Sequence, residues 1–221
     1  MQNEFEYTDK VIKMLNRKLI RAFDGFKTGL KFDELNVLKG VNEQYERMAS
    51  EMQRQYRHIA RRKYSDTWEY LIALGLAKGK MPGEKAINAT ADAVVKQMLD
   101  GYNPVTEYVF SHEIERKSAR TAEAIIAAQI VGDKNKAIDK SLKLLSNQMA
   151  EYADYVTLES AKAAYGDAGV KRVIWRTRHD EKRCEICKGL DGNVYNLDSA
   201  PDKPHYNCRC WLEPYTGRKK D

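Results

Sequence analysis

The sequence predicts a mainly helical protein that ends in a small, metal-stapled α+β module, meaning one that a metal ion cross-links. Apolar residues recur at helical spacing along most of residues 1–167, whereas the remainder is rich in glycine and proline. All four cysteines of the chain lie between Cys184 and Cys210. We therefore expect an extended helical region over residues 1–167 and a Cys-rich module with short strands over residues 168–221.

Four helices are predicted before residue 100. Thr8 can cap the first, and the second starts near Asp33, with apolar residues at a near-heptad spacing. The segment SDTWEYLIALGLAKG predicts a separate shorter helix that ends at Gly79, and residues 84–99 predict another. The apolar positions on the second helix are expected to lie in a core or in a helix–helix interface.

Two more helices and two strands complete the predicted chain. Pro104 suits the first turn of a long helix, and Asp133 can cap the helix that follows. The segment VKRVIWRT, residues 170–177, is rich in β-branched side chains and predicts a strand. A second strand is predicted in NCRCWLEP, where alternation would place Cys208 and Cys210 on one face.

Net charge and hydropathy limit the classes of partner. The formal charge is +6 and the pI is about 9.0, a moderate excess that favours an acidic partner or nucleic acid. The polar start MQNEFEYTDK is not typical of a signal peptide, and no apolar run approaches the ~20 residues of a membrane helix. We expect no membrane contact and synthesis in a host cytoplasm, where thiols stay reduced.

The cysteine spacing is typical of a zinc site. Cys184 and Cys187 form C-x2-C, a turn that directs two sulfurs to one point, and His205, Cys208 and Cys210 form H-x2-C-x-C. Four soft sulfur ligands without an open position indicate a structural ion rather than a catalytic one. We predict a structural zinc bound by the four cysteines, with His205 as the alternative to Cys208 or Cys210.

Other interpretations of the cluster remain open. Four cysteines allow three disulfide pairings, although the expected reducing compartment favours zinc. Buried inert thiols are less expected, because all the thiols of the chain are clustered. A nuclease of the His-Asn-His type is a further alternative, since His179, His205 and Asn207 flank the cysteines. Asp180, Asp191 and Asn207 are predicted to make turn and metal-supporting hydrogen bonds, and Asp180 could pair with Arg209.

The C-terminal segments VKRVIWRTRHDEKRCEICKGLDG and PHYNCRCWLEP together form a specific pattern. A tryptophan precedes an aspartate, a cysteine pair, Leu-Asp-Gly, and then a proline and histidine that lead into Asn-Cys-Arg-Cys and a later proline. This pattern resembles the C-terminal motif of the Mu F-like minor head proteins of tailed phages, the phage head morphogenesis family. The matching residues are Trp175, Asp180, Cys184, Cys187, Leu190, Asp191, Gly192, Pro204, His205, Asn207, Cys208, Arg209, Cys210 and Pro214.

The resemblance implies a helical N-terminal part, a small C-terminal module and a structural role. Such proteins are minor capsid components inside the head, associated with the portal, and linked to head morphogenesis and to genome packaging or ejection. The partners that it implies are the portal protein and capsid proteins. The competing function class is a zinc-module DNA-binding protein or nuclease. We expect no enzymatic activity, because the sequence offers no organised acid–base set.

A basic segment of the second helix, RQYRHIARRK, is the candidate for unspecific DNA contact. Lysine and arginine neutralise phosphates without reading base sequence. The same pattern is also typical of a solvated helix face. The candidate residues are Arg54, Arg57, Arg61, Arg62 and Lys63, and the tail adds Arg218, Lys219 and Lys220.

Overall fold

The computed structural model describes residues 2–28, 34–77, 79–100, 102–103, 108–131, 133–180, 183–205 and 208–217. The helices are α1 (Gln2–Thr28), α2 (Glu34–Ala73), α3 (Glu84–Asp100), α4 (Phe110–Val131), α5 (Lys134–Asp167) and α6 (Glu185–Leu190). The strands are β1 (Tyr102–Asn103), β2 (Tyr108–Val109), β3 (Arg172–Arg176), β4 (Val194–Asn196) and β5 (Trp211–Pro214). The predicted fold class, mainly helical with a small α+β module, is confirmed.

Two of the predicted helix boundaries are wrong. Thr8 does not cap α1, because the helix already begins at Gln2 and Thr8 is a buried position within it. The separate helix predicted to end at Gly79 is the last part of α2, which continues to Ala73, and no glycine or proline lies between Ser65 and Ala73. Gly75 then takes a φ of 70°, which favours glycine, and Leu76 donates its N–H to the Leu71 carbonyl at 2.9 Å.

Other predicted boundaries agree with the structure or lie outside it. Helix α3 begins at Glu84, and α5 begins directly after Asp133, the predicted capping residue. The predicted starts at Asp33 and Pro104 lie outside the described residues.

The first of two compact units comprises residues 1–56 and 96–150. Its core comes from the apolar faces of the helices, and buried hydroxyl groups add hydrogen bonds between them. Tyr45 and Thr121 share a hydrogen bond of 2.8 Å between their hydroxyl oxygens, and the Tyr45 ring packs edge-on against Phe23. Tyr56 donates its hydroxyl proton to the Met149 carbonyl at 2.9 Å. These bonds fix the register of the helices that carry them.

The second unit comprises residues 57–95 and 151–221 and contains the cysteine cluster. Its antiparallel sheet has the strand order β4-β3-β5. The buried face of the sheet packs against α5, and Tyr165 of α5 donates a hydrogen bond to the Leu212 carbonyl of β5 at 2.7 Å. The main buried residues of this core are Leu71, Leu158, Ala161, Tyr165, Val173, Trp175 and Leu212. The unit thus crosses residue 167, and the domain boundary predicted there stays a prediction.

The strands are shorter than the sequence predicted. Strand β3 ends at Arg176, which is opposite Trp211, the first residue of β5. Thr177 donates its N–H to Asp191 Oδ1 at 3.0 Å rather than extending the ladder. Cys208 and Cys210 therefore precede β5, and the prediction that they lie on a strand is wrong.

Candidate metal centre

The Cys184–Cys187 turn is formed by the first residues of α6. Cys184 has an extended backbone and caps the helix, because its Sγ accepts the Cys187 N–H at 3.4 Å. The Cys184 carbonyl also accepts the Lys188 N–H at 3.0 Å. This local geometry places the sulfur atoms of Cys184 and Cys187 close to one point, as the C-x2-C spacing predicted.

The five candidate ligands form two triads that share Cys187. The Nε2 atom of His205 lies 3.2 Å from Cys184 Sγ and 3.3 Å from Cys187 Sγ, and Cys187 Sγ lies 3.7 Å from Cys208 Sγ. The ligand atoms within each triad, Cys184–Cys187–His205 and Cys187–Cys208–Cys210, lie within 4.8 Å of one another. Sulfur atoms that share a tetrahedral zinc lie about 3.8 Å apart, given a Zn–S distance of about 2.3 Å. The cluster can therefore hold a metal ion.

The cysteines are free thiols in this structure. The 3.7 Å between Cys187 Sγ and Cys208 Sγ is well beyond the S–S bond length of about 2.05 Å. Cys187, Cys208 and Cys210 are buried, Cys184 is half-buried, and His205 is exposed. The buried cysteines are thus shielded from solvent, whereas the His205 side of the cluster is exposed.

The protein environment lowers the pKa of two of the four cysteines. A hydrogen bond from Cys208, with smaller contributions from Thr177, Cys187 and the nearby Trp175 indole, lowers the pKa of Cys210 to about 5 against the opposing effect of burial. The Cys187 N–H lowers the pKa of Cys184. A bound cation would lower the pKa of the other two as well, because it stabilises coordinated thiolates.

The remaining two cysteines are held as thiols while no cation is bound. Burial raises the pKa of Cys187 to about 12. The Cys210 thiolate, and then burial, raise the pKa of Cys208. The cluster therefore divides into two cysteines whose pKa is lowered and two whose pKa is raised.

Trp175 supports a negatively charged sulfur cluster. Its side chain is fully buried, and among the described residues Nε1 has no acceptor at hydrogen-bond geometry. The indole lies close enough to Cys210 to stabilise the thiolate and to contribute to its low pKa. A buried N–H without an acceptor is costly, and a coordinated thiolate beside it would reduce that cost. The donor set and its surroundings thus fit a metal such as zinc.

Asp191 fixes the segment that connects β3 to the Cys184–Cys187 turn. Its Oδ1 accepts the Thr177 N–H at 3.0 Å, and its Oδ2 lies 2.8 Å from His179 Nε2 and 3.5 Å from Arg183 Nη2. Next to it, Gly192 takes a φ of 82° and donates its N–H to the Trp175 carbonyl at 2.8 Å. The predicted turn role of Asp191 agrees with these hydrogen bonds, whereas its predicted metal-supporting role stays a prediction.

Two ion pairs hold the chain on either side of Cys208. Arg209 donates from both terminal nitrogens to the two carboxylate oxygens of Asp180, which confirms the pairing considered from the sequence. Lys203 Nζ donates to Asp154 Oδ1 at 2.8 Å and to the Cys208 carbonyl at 3.1 Å. Sequence reasoning missed Lys203 and Asp154, since nothing in the spacing links a loop lysine to a helix residue so far upstream.

The nuclease candidates have different surroundings. His179 is 69% exposed and pairs with Asp191, whereas His205 contacts the sulfur atoms of Cys184 and Cys187. Asn207 lies outside the described residues. His179 is thus a surface residue bound to a carboxylate, whereas His205 is a candidate metal ligand.

The candidate DNA-binding residues of α2 have partners within the protein. Arg57 Nε donates to Asp92 Oδ1 at 2.8 Å, and Arg61 donates to Asn88 at 3.2 Å and contacts His58 at 2.6 Å. The bonds to Asp92 and Asn88 link α2 to α3, whereas His58 lies in α2 itself. The Asp92 carboxylate partly offsets the charge that Arg57 would offer to a phosphate, whereas the neutral Asn88 amide does not do so for Arg61.

The other basic candidates of α2 are also engaged. Arg54 pairs with Glu51 at 2.6 Å, and Arg62 pairs with Asp66 at 3.6 Å. Lys63 has an interaction partner as well. The tail from Arg218 to Lys220 lies outside the described residues. Nucleic-acid binding by this segment stays a prediction.

Comparison with known proteins identifies the region that contains the cluster. Residues 119–213 match the model of the family described as phage Mu protein F like protein. No curated protein and no solved structure matches the chain. Within the described parts of the chain, none of the helices combines the length and the apolar composition that a bilayer crossing requires.

The match extends further upstream than the motif seen in the sequence. It covers less than half of the chain, but it includes the end of α4, all of α5 and every candidate metal ligand. This family is associated with phage head morphogenesis, and its members are generally minor head proteins. The resemblance predicted from the cysteine-rich motif is confirmed: residues 119–213 of this chain form a phage Mu protein F-like region.

Proposed function

We propose that the protein is a minor structural component of a tailed-phage head that acts inside the virion, at the portal. Its contribution would be to head morphogenesis and to genome packaging or ejection. The observation that carries this proposal is the family match, which joins α5 and the cysteine cluster in one segment. The long helices have apolar faces that form a packed core, and this is compatible with a structural role.

We propose further that the cysteine cluster holds one structural zinc ion. Cys184, Cys187, Cys208 and Cys210 are the proposed ligands, and His205 is the alternative to Cys208 or Cys210. Three of these sulfurs are buried, and Trp175 and Thr177 favour a thiolate at Cys210. Sulfur-rich, closed sites of this kind support structure, because no coordination position is left for a substrate.

The head assignment is tested by co-expressing the chain with the portal protein and the major capsid protein of the same phage. We expect the chain to co-purify with portal rings and to enter procapsids. Protease added to intact procapsids should spare it, and protease added after the shells are opened should degrade it. A chain that stays apart from both portal and shells would refute the assignment.

The non-enzymatic assignment has its own test. We expect no DNA cleavage on addition of magnesium. Magnesium-dependent cleavage that His205→Ala abolishes while zinc is retained would instead support the nuclease class.

A further inference from the structure

The two cysteine segments are joined by contacts that do not involve a metal. Asp180 precedes the Cys184–Cys187 turn, and Arg209 lies between Cys208 and Cys210. The paired hydrogen bonds between their side chains therefore connect the chain segments that carry the two halves of the cluster. Two parallel charge-assisted bonds fix distance and orientation together, which a single bond does not do.

Each partner of this pair is itself fixed locally. The Asp180 carbonyl accepts the Arg183 N–H at 3.1 Å, which closes a turn just before Cys184. On the other side, Lys203 holds the Cys208 carbonyl at 3.1 Å while it pairs with Asp154 of α5. The Lys203 side chain is only 7% exposed, so this contact is largely shielded from solvent. Cys208 is thus held by its backbone, and Arg209 by its side chain.

We propose that Arg209 is a positioning residue, whose pair with Asp180 holds Cys208 and Cys210 against the Cys184–Cys187 turn before any metal binds. The proposal rests on the metal site proposed above. It differs from the behaviour of small zinc modules that are unfolded without their ion. Here the sheet core and the Asp180–Arg209 pair assemble the site, and zinc completes it.

Variants can separate the effect of the two parallel hydrogen bonds from the effect of the opposite charges in the Asp180–Arg209 pair. Arg209→Lys keeps the charge but cannot form the two parallel bonds, and Asp180→Asn removes the charge of the acceptor. Arg176→Lys is a matched control, because Arg176 also pairs with a carboxylate of the same sheet, Glu213, at 3.1 Å. Among the hydrogen bonds of the described residues, Arg176 makes none to a cysteine.

The first experiment measures zinc release from the loaded full-length chain to a chromophoric chelator. We expect Arg209→Lys and Asp180→Asn to release zinc about 10–100-fold faster than wild type, with Arg176→Lys close to wild type. With Co²⁺ in place of zinc, the sulfur-to-metal charge-transfer band should keep its intensity, because the ligands are unchanged. Release rates equal to the control would overturn the proposal and leave the zinc site intact.

The second experiment needs no metal and separates the two proposals. In reduced, metal-free protein, amide hydrogen exchange is measured for peptides that cover Cys208 to Leu212. We expect protection in wild type and in Arg176→Lys, and at least about tenfold faster exchange in Asp180→Asn and Arg209→Lys. If wild type binds no zinc but shows this pattern, the metal site fails and the positioning role stands. If wild type and the variants exchange alike without metal, the positioning role is refuted.

Discussion

Loss of one hydroxyl group tests whether the sheet depends on α5. Tyr165 is 3% exposed and donates to the Leu212 carbonyl of β5 at 2.7 Å. Tyr165→Phe keeps the ring, so the change removes one buried hydrogen bond without a large cavity. We expect a loss of about 1–2 kcal/mol, since a buried bond contributes about 1 kcal/mol and the carbonyl left behind adds a desolvation cost. In a chain of this size, each kcal/mol lowers Tm by about 2–4 °C.

The assay is urea unfolding of zinc-saturated protein, followed by tryptophan fluorescence. Tyr195→Phe is the matched control: it lies in the same sheet, and among the described residues its hydroxyl makes a single long bond, accepted from exposed Asn193 at 3.4 Å. We expect the control to stay within about 0.5 kcal/mol of wild type. Equal midpoints for Tyr165→Phe and Tyr195→Phe would show that the docking of β5 on α5 is not as described.

Two further predictions concern the cluster and the basic helix. Cys187→Ser should reduce bound zinc from about one ion per chain to a small fraction, because Cys187 belongs to both triads, and elemental analysis after gel filtration measures this. Far-UV circular dichroism of the same variant should keep most of its helical signal, and a zinc content equal to wild type would refute the ligand assignment. Arg57→Gln, Arg61→Gln and Arg62→Gln together should weaken binding to any duplex and flatten its salt dependence by about 0.9 per lost phosphate contact, as fluorescence anisotropy would show. An unchanged slope would mean that these residues only pair with Asp92, Asn88 and Asp66.

Local signals predicted much of the fold. Helix α5 begins directly after Asp133, the predicted cap, and the position of β3 follows from its β-branched residues; both signals act within a few positions. The segment that begins at Ser65 was predicted to form a separate helix, but α2 continues through it, and no glycine or proline lies between Ser65 and Ala73. Tertiary packing can keep such a segment helical even where its residues favour a helix end. Here Thr67 and Trp68 are buried, so packing supports the continuous helix.

The candidate ligands were predicted from spacing, whereas most of their supporting contacts were not. C-x2-C and C-x-C limit the geometry within each pair, so Cys184 with Cys187 and Cys208 with Cys210 could be found in the sequence. The contact between Lys203 and Asp154 joins residues 49 positions apart and depends on how the loop crosses α5. Such pairs are set by tertiary packing, which no local pattern specifies.

The most direct test of the central claim is quantitative mass spectrometry of purified phage heads with this chain as the target. A minor structural head protein should be present in every preparation, at far fewer copies than the major capsid protein, and should stay with the portal fraction when heads are dissociated. Its complete absence from heads, with the protein found only free in the lysate, would contradict the account.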